Sequence, residues 1–204
     1  FAARSGDLRS AQLLVEAGSD INGLSAFGTS PAIMAVHGGN AELLDYLLQN
    51  GADTESNNSG HTALHAAVQR GDRDAVTVLL RHGANVEAIL EKPTPVRRQA
   101  ADYNFHDALL GSTPLWLAAR FSEPLIMEVL LGVGADPLTV NNMSYPAQRL
   151  GEPYIAAEGA INLVMAAMGM GHARLRISWG TPERRAGQLQ DRESLALDSV
   201  MLAV

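Results

Sequence analysis

Apolar residues fall in paired blocks along the first two thirds of the chain. In each pair, a short block rich in alanine is followed by a longer one rich in leucine. The longer blocks are AELLDYLL (41–48), RDAVTVLL (73–80) and EPLIMEVLL (123–131). Their large apolar residues recur every three or four positions, the period of a helix with one buried side. The pattern therefore predicts helical hairpins.

The paired blocks form an internal repeat. Glycines that follow the longer blocks are separated by 33, 32 and 51 residues; they are Gly18, Gly51, Gly83 and Gly134. Glycines that precede the shorter blocks are separated by 32 and 51 residues; they are Gly28, Gly60 and Gly111. Both series indicate a unit of about 33 residues, with an insertion before the fourth unit.

The ends of the helices can be predicted from single residues. In GSTPLWLAAR (111–120), Thr113 is placed to cap a helix that begins with Pro114, a residue whose missing N–H costs nothing at that position. Ser30 and Pro31 repeat this pair, and Thr62 keeps the cap without the proline. The glycines after the longer blocks supply the left-handed residue that ends a helix.

These residues resemble the ankyrin repeat, whose pattern runs roughly G-x-T-P-L-H-x-A-A, then a second helix ending L-L, then G-A-D. Residues 111–119 match it with Trp116 in place of His, and residues 60–68 match it with His65. The resemblance implies an all-α repeat solenoid with projecting β-turn fingers and a structural role for His65. The chain is then a fragment of a longer one, a single domain over 1–204. Its units are about 1–22, 23–55, 56–87, 111–139 and a degenerate 159–204.

Three segments depart from the repeat, at 88–110, 138–158 and 173–194. The first contains two prolines, Tyr103 and Phe105. We expect it to be functional, because these aromatic side chains would be unfavourable on a loop that contacts nothing. The charged segment 173–194 is expected to be a solvated connection. In the degenerate unit, Ile161 and Asn162 stand where Thr and Pro are expected.

Composition narrows the function classes. The net charge of −7 disfavours nucleic-acid binding, which requires a basic face. That alternative would use Arg97, Arg98, Arg174, Arg176, Arg184 and Arg185. The chain has no cysteine, so disulfides and thiolate metal sites are excluded. The first residues show no targeting peptide, and the compartment stays open.

Catalytic motifs are not found. The sequence has no H-E-x-x-H element, no phosphate loop and no nucleophile elbow. His61 and His65 have the spacing of a metal pair on a helix, but the cap at Thr62 places His61 in the turn, so a structural role is preferred. We predict a non-enzyme with no cofactor and no metal.

The ankyrin resemblance implies that finger tips and the exposed ends of the inner helices bind a protein. Aromatic and arginine side chains, the usual hot spots of interfaces, occur among these positions. The finger set is Ala26, Phe27, Thr29, Asn58, Ser59, His61, Leu110 and Ser112. The inner-helix set is Arg4, Ser5, His37, Gly38, Gln69, Arg70, Arg120 and Phe121, and Tyr103 and Phe105 are added from the 88–110 loop. The alternative is a regulatory or targeting array fused to an enzyme outside this fragment.

Overall fold

A computed structural model describes residues 2–94, 105–147, 155–168 and 192–203, and it describes side chains for 2–94, 105–142, 159–168 and 197–203. The predicted hairpins are present as pairs of helices. The helices are α1 (Ala2–Ser5), α2 (Leu8–Glu16), α3 (Pro31–Gly38), α4 (Ala41–Gln49), α5 (Ala63–Arg70), α6 (Arg73–Arg81), α7 (Pro114–Arg120), α8 (Pro124–Gly132), α9 (Leu163–Ala167) and α10 (Arg192–Leu202).

The helices form two rows. Inner helices α1, α3, α5, α7 and α9 each contact the next inner helix, and outer helices α2, α4, α6, α8 and α10 do the same. Within a unit, each inner helix also packs on its outer partner. Every unit therefore buries its apolar side against its sequential neighbour, which is the arrangement of a repeat solenoid.

The caps predicted from sequence begin the inner helices. The side-chain oxygens of Ser30, Thr62 and Thr113 each accept a hydrogen bond from the backbone amide three residues later, at 3.3, 3.5 and 3.3 Å. Each cap satisfies one of the amides that a helix start leaves without a partner.

Small residues let the inner helices lie close together. Ala35, Ala67, Ala118 and Ala119 are all completely buried. The leucines of the outer helices fill the space behind them, with Leu44 and Leu79 also fully buried. The result is one continuous apolar core along the units.

Two strands begin in the segment 138–158, which is predicted only as an insertion, and the second extends into the degenerate unit. Strand β1 (Val140–Ala147) pairs antiparallel with β2 (Ile155–Asn162), with Val140 opposite Asn162 and Ala147 opposite Ile155. The hairpin replaces the short finger of the other units. It was not predicted because its residues carry no consistent alternation of apolar and polar side chains.

The degenerate unit also differs in register from the prediction. Asn162 caps α9, its side chain accepting from the amide of Met165 at 2.9 Å. The helix consequently begins one position later than the alignment on Gly159 implies, although Ala166 and Ala167 are buried. Helix α10 starts at Arg192, so the last three residues of the predicted 173–194 connection are helical. The rest of that connection lies outside the described residues.

Candidate functional site

The predicted binding residues differ widely in exposure. Exposed members are Arg4, Ser5, Ala26, Phe27, Gly38 and Asn58. Half-buried members are Thr29, His37, Ser59, Arg70, Leu110 and Arg120. Buried members are His61, Gln69, Phe105, Ser112 and Phe121. Tyr103 lies outside the described residues, as do Arg97 and Arg98.

The expectation that the buried members contact a partner needs correction, because their side chains are covered in the folded array. Ser112 lies inside a finger, where its hydroxyl donates to the Leu109 carbonyl at 2.6 Å and accepts from Asn141 Nδ2 at 2.8 Å. Phe121 ends α7 and belongs to the apolar core. Gln69 is only 5% exposed. All three positions are buried in the assembled array.

Phe105 is buried by its own chain. Its ring lies 5.0 Å from the ring of His61 and 6.4 Å from that of His65, measured between centroids. An aromatic residue in this insertion therefore does not require an external partner, contrary to the reason given from the sequence. The contact instead explains why His61 is only 3% exposed.

The two ends of the 88–110 insertion meet at one place. The Thr94 amide donates to the Phe105 carbonyl at 3.1 Å, and the Phe105 amide donates to Thr94 Oγ1 at 2.7 Å. Closer to the array, Leu90 exchanges two backbone hydrogen bonds with the finger, one to the Ser112 carbonyl at 3.0 Å and one from the Gly111 amide at 2.9 Å. The insertion therefore leaves and re-enters the array through a closed base.

Three histidines lie beside this base. The rings of His37 and His61 are 6.1 Å apart. Burial, helped by the charges of His61, Arg70 and Arg4, lowers the pKa of His37 to about 3. Burial also lowers the pKa of His61 and of His65 to about 4. All three imidazoles are therefore neutral at pH 7.

His65 has the structural role that the resemblance implies. It lies fully buried in α5, and its Nδ1 accepts from the Thr62 amide at 3.2 Å, which closes a capping box with the same threonine. Trp116 occupies the same position in the fourth unit. Its Nε1 donates to the Ile161 carbonyl at 2.9 Å and so joins α7 to β2.

Hydrogen bonds between successive fingers were not predicted. Asn22 accepts from the Asp53 amide at 2.8 Å, Glu55 accepts from the Asn85 amide at 2.9 Å, and Glu87 accepts from the Asp136 amide at 2.8 Å. Each acceptor stands four residues after the glycine that ends the previous outer helix. The sequence signal was an Asp or Asn two residues after that glycine and an Asn or Glu four residues after it. These bonds fix the spacing of the fingers.

Close packing also explains why one predicted contact residue, Gly38, is a glycine. A Cβ atom added at Gly38 would lie 2.5 Å from the Arg4 carbonyl oxygen. Glycine is therefore required for α1 and α3 to approach, whatever else this position does. The neighbouring Arg70 donates from Nη1 to the His37 carbonyl at 2.9 Å, at the C-terminal end of α3.

Among the described residues, no three His, Asp or Glu side chains form a group that could hold a metal ion. In the same part of the chain, every helix is too short or too polar to span a bilayer.

Family models described as "Ankyrin repeats (3 copies)" and "Ankyrin repeat" match residues 1–89 and 110–142. Similar proteins include "Rabankyrin-5" of Homo sapiens, 31% identical over 53% of this chain and 9% of that protein. "Ankyrin repeat protein nuc-2" of Neurospora crassa is 27% identical over 78% of this chain and 16% of its own length. "Probable E3 ubiquitin-protein ligase XBOS33" of Oryza sativa subsp. japonica is 32% identical over 74% of this chain and 29% of its own length. The chain thus spans less than a third of each of these relatives.

Proposed function

Because the chain belongs to the ankyrin-repeat family, we propose that it is a non-catalytic module that binds a protein partner through the face formed by its inner helices and fingers. Members of this family are generally protein-protein interaction modules, and the proposal assigns that role to one face of this chain. The predicted 88–110 loop forms part of this face.

The observation that carries the proposal is the alignment of equivalent residues along the inner row. Inner helices α1, α3, α5 and α7 are each followed by a glycine or serine with positive φ: Gly6, Gly39, Gly71 and Ser122. The two residues before each of these occupy the same register in the first four units, and they include Arg4, Arg70 and Arg120. Side chains repeated along a rigid stack make an extended surface, which suits a protein segment better than a small molecule.

Burial restricts the proposed surface to part of the predicted set. We retain the exposed and half-buried members, which include Phe27 and Asn58 on the fingers and Arg4, Arg70 and Arg120 on the inner helices. The five buried members are left out of the proposed contact surface. Tyr103 remains a proposed contact residue.

Site-specific crosslinking tests the proposal. A photoreactive amino acid is placed at Arg4, at Asn58 or at the exposed Arg73 of outer helix α6, and adducts are identified by mass spectrometry after irradiation in cell extract. We expect one protein to be captured from Arg4 and Asn58 but not from Arg73, and to bind the purified chain directly. Equal capture from Arg73, or none from the two proposed positions, would refute the proposed face.

A second candidate function is a targeting or regulatory array within a longer protein that carries an enzyme elsewhere. The similarity to XBOS33, a probable E3 ubiquitin-protein ligase of which this chain covers 29%, favours it. In that case the partner captured by crosslinking would be a substrate or regulator of the attached enzyme. The parent sequence, or a ligase assay on the parent protein with and without the captured partner, decides between the two.

A further inference from the structure

One position of the fingers carries a large apolar side chain in three of the first four units. It stands six residues after the glycine that follows each outer helix, and its residues are Leu24, Asn57, Ile89 and Val140. The three apolar members are 46%, 47% and 46% exposed. A single exposed apolar residue is normal on a protein surface, but apolar residues that recur at one position of successive fingers form a row.

The side chains of this row point outward, because their neighbours along the chain point inward. In the third finger, Ala88 and Leu90, on either side of Ile89, are 8% and 1% exposed. In the fourth finger, Asn141, which follows Val140, is also buried. Folding of the array therefore leaves these apolar side chains in solvent although it buries the residues beside them.

The fourth finger adds another apolar side chain, Leu138, which is 82% exposed. The other units carry at this position the residues that accept the hydrogen bonds between fingers, Asn22, Glu55 and Glu87. Glu87 stands two residues before Ile89, and its partner Asp136 stands two residues before Leu138. The two stretches therefore lie side by side. We call Leu24, Ile89, Leu138 and Val140 the apolar finger row.

The same stretches are strongly acidic. Residues 18–28, 51–60, 83–92 and 134–142 contain one basic residue, Lys92, and six carboxylates, namely Asp20, Asp53, Glu55, Glu87, Glu91 and Asp136. Within the described residues, five of these carboxylates accept hydrogen bonds from backbone amides, and Glu91 accepts from Asn57 Nδ2 at 3.0 Å. None of the six forms an ion pair in that part of the chain.

The basic residues of the outer helices leave this negative charge in place. Arg9 and Arg73 stand in the first turns of α2 and α6, at the opposite end of each helix from the finger that follows it. Arg81 and His82, at the end of α6, are both held by Asp45 at 2.7 Å. The apolar finger row therefore combines exposed apolar side chains with a net negative charge.

We propose that the apolar finger row binds an amphipathic helix of a protein partner, with lysine or arginine flanking the apolar side of that helix. Residues seven apart lie on the same side of a helix and about 10.5 Å apart along it, close to the distance of about 8–10 Å between packed helices. Apolar side chains at that spacing would meet successive fingers. About 16–20 helical residues would reach from Leu24 to Val140.

The carboxylates favour basic residues in the partner, and they disfavour an anionic membrane surface as the occupant. No member of the row belongs to the predicted set of contact residues. The inference therefore adds a second binding surface to the proposed function and does not rest on it.

Fluorescence anisotropy with a labelled helical peptide of about 18 leucine and lysine residues, its leucines all on one side, tests the proposal. A peptide of the same composition with its leucines spread around the helix is the control. The intact chain should bind the first peptide about tenfold more tightly than the second, because only the first presents a continuous apolar side.

The Ile89→Asn/Leu138→Asn variant tests the row itself. Asparagine is the residue that other units carry at these two positions, as Asn57 and Asn22, so the change is compatible with the fold of a finger. The variant should bind the amphipathic peptide about tenfold more weakly than the intact chain, because two exposed apolar side chains lose their contact with it.

The matched control is Leu13→Asn/Leu125→Asn, which removes two leucines that are 50% and 54% exposed on outer helices. It should bind like the intact chain, and circular dichroism with thermal unfolding verifies that each variant is folded. Val140→Thr, which exchanges a methyl group for a hydroxyl of similar size, is a milder test that should weaken binding about two- to fourfold.

Glu55→Gln/Glu91→Gln tests the contribution of charge, because glutamine keeps an oxygen to accept each hydrogen bond. The affinity should fall about three- to tenfold in about 50 mM NaCl, and less in about 300 mM, since salt screens exposed charges. Glu16→Gln/Glu42→Gln on the outer helices gives the same net charge and should leave the affinity unchanged.

The proposal would be overturned by equal binding of the two peptides, or by equal weakening in a row variant and its matched control. Dimerisation of the intact chain that Ile89→Asn/Leu138→Asn abolishes, measured by sedimentation velocity, would also overturn it, because the row would then bind a second copy. Crosslinking from Arg4 and Asn58 is a separate test. Its failure would refute the proposed face, whereas the peptide results decide on the apolar finger row.

Discussion

Ser122 adopts a backbone conformation that the other units give to glycine. Its φ is 56°, whereas Gly39 and Gly71 occupy the same place after α3 and α5 with φ of 69° and 66°. A residue with a Cβ is strained in this conformation by about 1–2 kcal/mol, and glycine avoids that strain. Glycine also makes the unfolded chain more flexible, which offsets about 0.5–1 kcal/mol of the gain.

Ser122→Gly should therefore stabilise the protein by about 0.5–1 kcal/mol, measured as the free energy of unfolding in urea. The matched change is Gly71→Ser, which introduces the same strain at an equivalent site and should destabilise by a similar amount. If both variants changed the free energy of unfolding in the same direction and by the same amount, φ at this position would not control stability.

Glu87 links the third finger to the fourth through its bond to the Asp136 amide. Glu87→Ala removes the acceptor and should cost about 1 kcal/mol, the net value of such a hydrogen bond. Hydrogen exchange at the Asp136 amide should become about five- to tenfold faster. Glu87→Gln keeps an oxygen in place and should retain most of the protection. If exchange at the Asp136 amide were unchanged in the alanine variant, the hydrogen bond between the fingers would not contribute to their rigidity.

Residue-level predictions from sequence were accurate where the cause is local. A Thr or Ser cap acts within its own first turn, so Ser30, Thr62 and Thr113 could be identified directly, and the same holds for Gly51, Gly83 and Gly134, which have positive φ. Burial depends on what packs from elsewhere. Gln69 and Phe121 were therefore wrongly expected to be exposed.

At the scale of elements, Trp116 shows how the array is joined to the β1–β2 hairpin. The indole N–H lies 2.9 Å from the Ile161 carbonyl oxygen, and the ring is completely buried in α7. The resemblance predicts a tie to neighbouring backbone at this position, and the larger residue makes that tie across to a strand 45 residues away in sequence.

Trp116→Phe removes the donor and leaves the Ile161 carbonyl without it. We expect a loss of about 1–3 kcal/mol in the free energy of unfolding, the cost of an unsatisfied buried group. Hydrogen exchange should rise first in β2 and α9, while amides of α3 and α4, two units away, keep their protection. A uniform rise through all units would mean that the variant weakens the core as a whole.

The elements that sequence could not supply are those without a repeated counterpart. The ankyrin resemblance fixes the positions of α3 to α8 because several matches occur in phase. The hairpin at 140–162 has no copy elsewhere in the chain to align with. For α9, the glycine alignment and the Asn162 cap disagree by one position, and the structure follows the cap, which satisfies backbone amides directly.

At the scale of the whole molecule, the 88–110 insertion and two neighbouring units share a buried cluster formed by His37, His61, His65 and Phe105. Neither ring nitrogen of His61 makes a hydrogen bond within the part of the chain described. Burial disfavours a positive charge on this imidazole, and the Ser59 backbone offsets only part of that effect, so protonation of His61 favours unfolding. The cluster therefore makes stability depend on pH.

The direction follows from the pKa values. The three histidines have an ordinary pKa of 6.5 in the unfolded chain and about 3, 4 and 4 when folded. Between about pH 6.5 and pH 4 the unfolded chain binds more protons, so acid favours unfolding over this window. Well above pH 6.5 the three groups are neutral in both states, and their contribution is constant. Each histidine can contribute a slope of up to about 1.4 kcal/mol per pH unit.

The free energy of unfolding should therefore fall as pH is lowered from 7 to 5, as followed by urea titration at each pH. In His61→Leu, a change of similar volume, about one third of the slope assigned to the three histidines should disappear, because one of the three groups no longer titrates. Ile33→Val in the neighbouring core is the matched control. It should lower stability by about 0.5–1.5 kcal/mol at every pH and leave the slope intact. An unaltered slope in His61→Leu would exclude this histidine as a source of acid sensitivity, and the packing of Phe105 on it would then be a purely apolar contact.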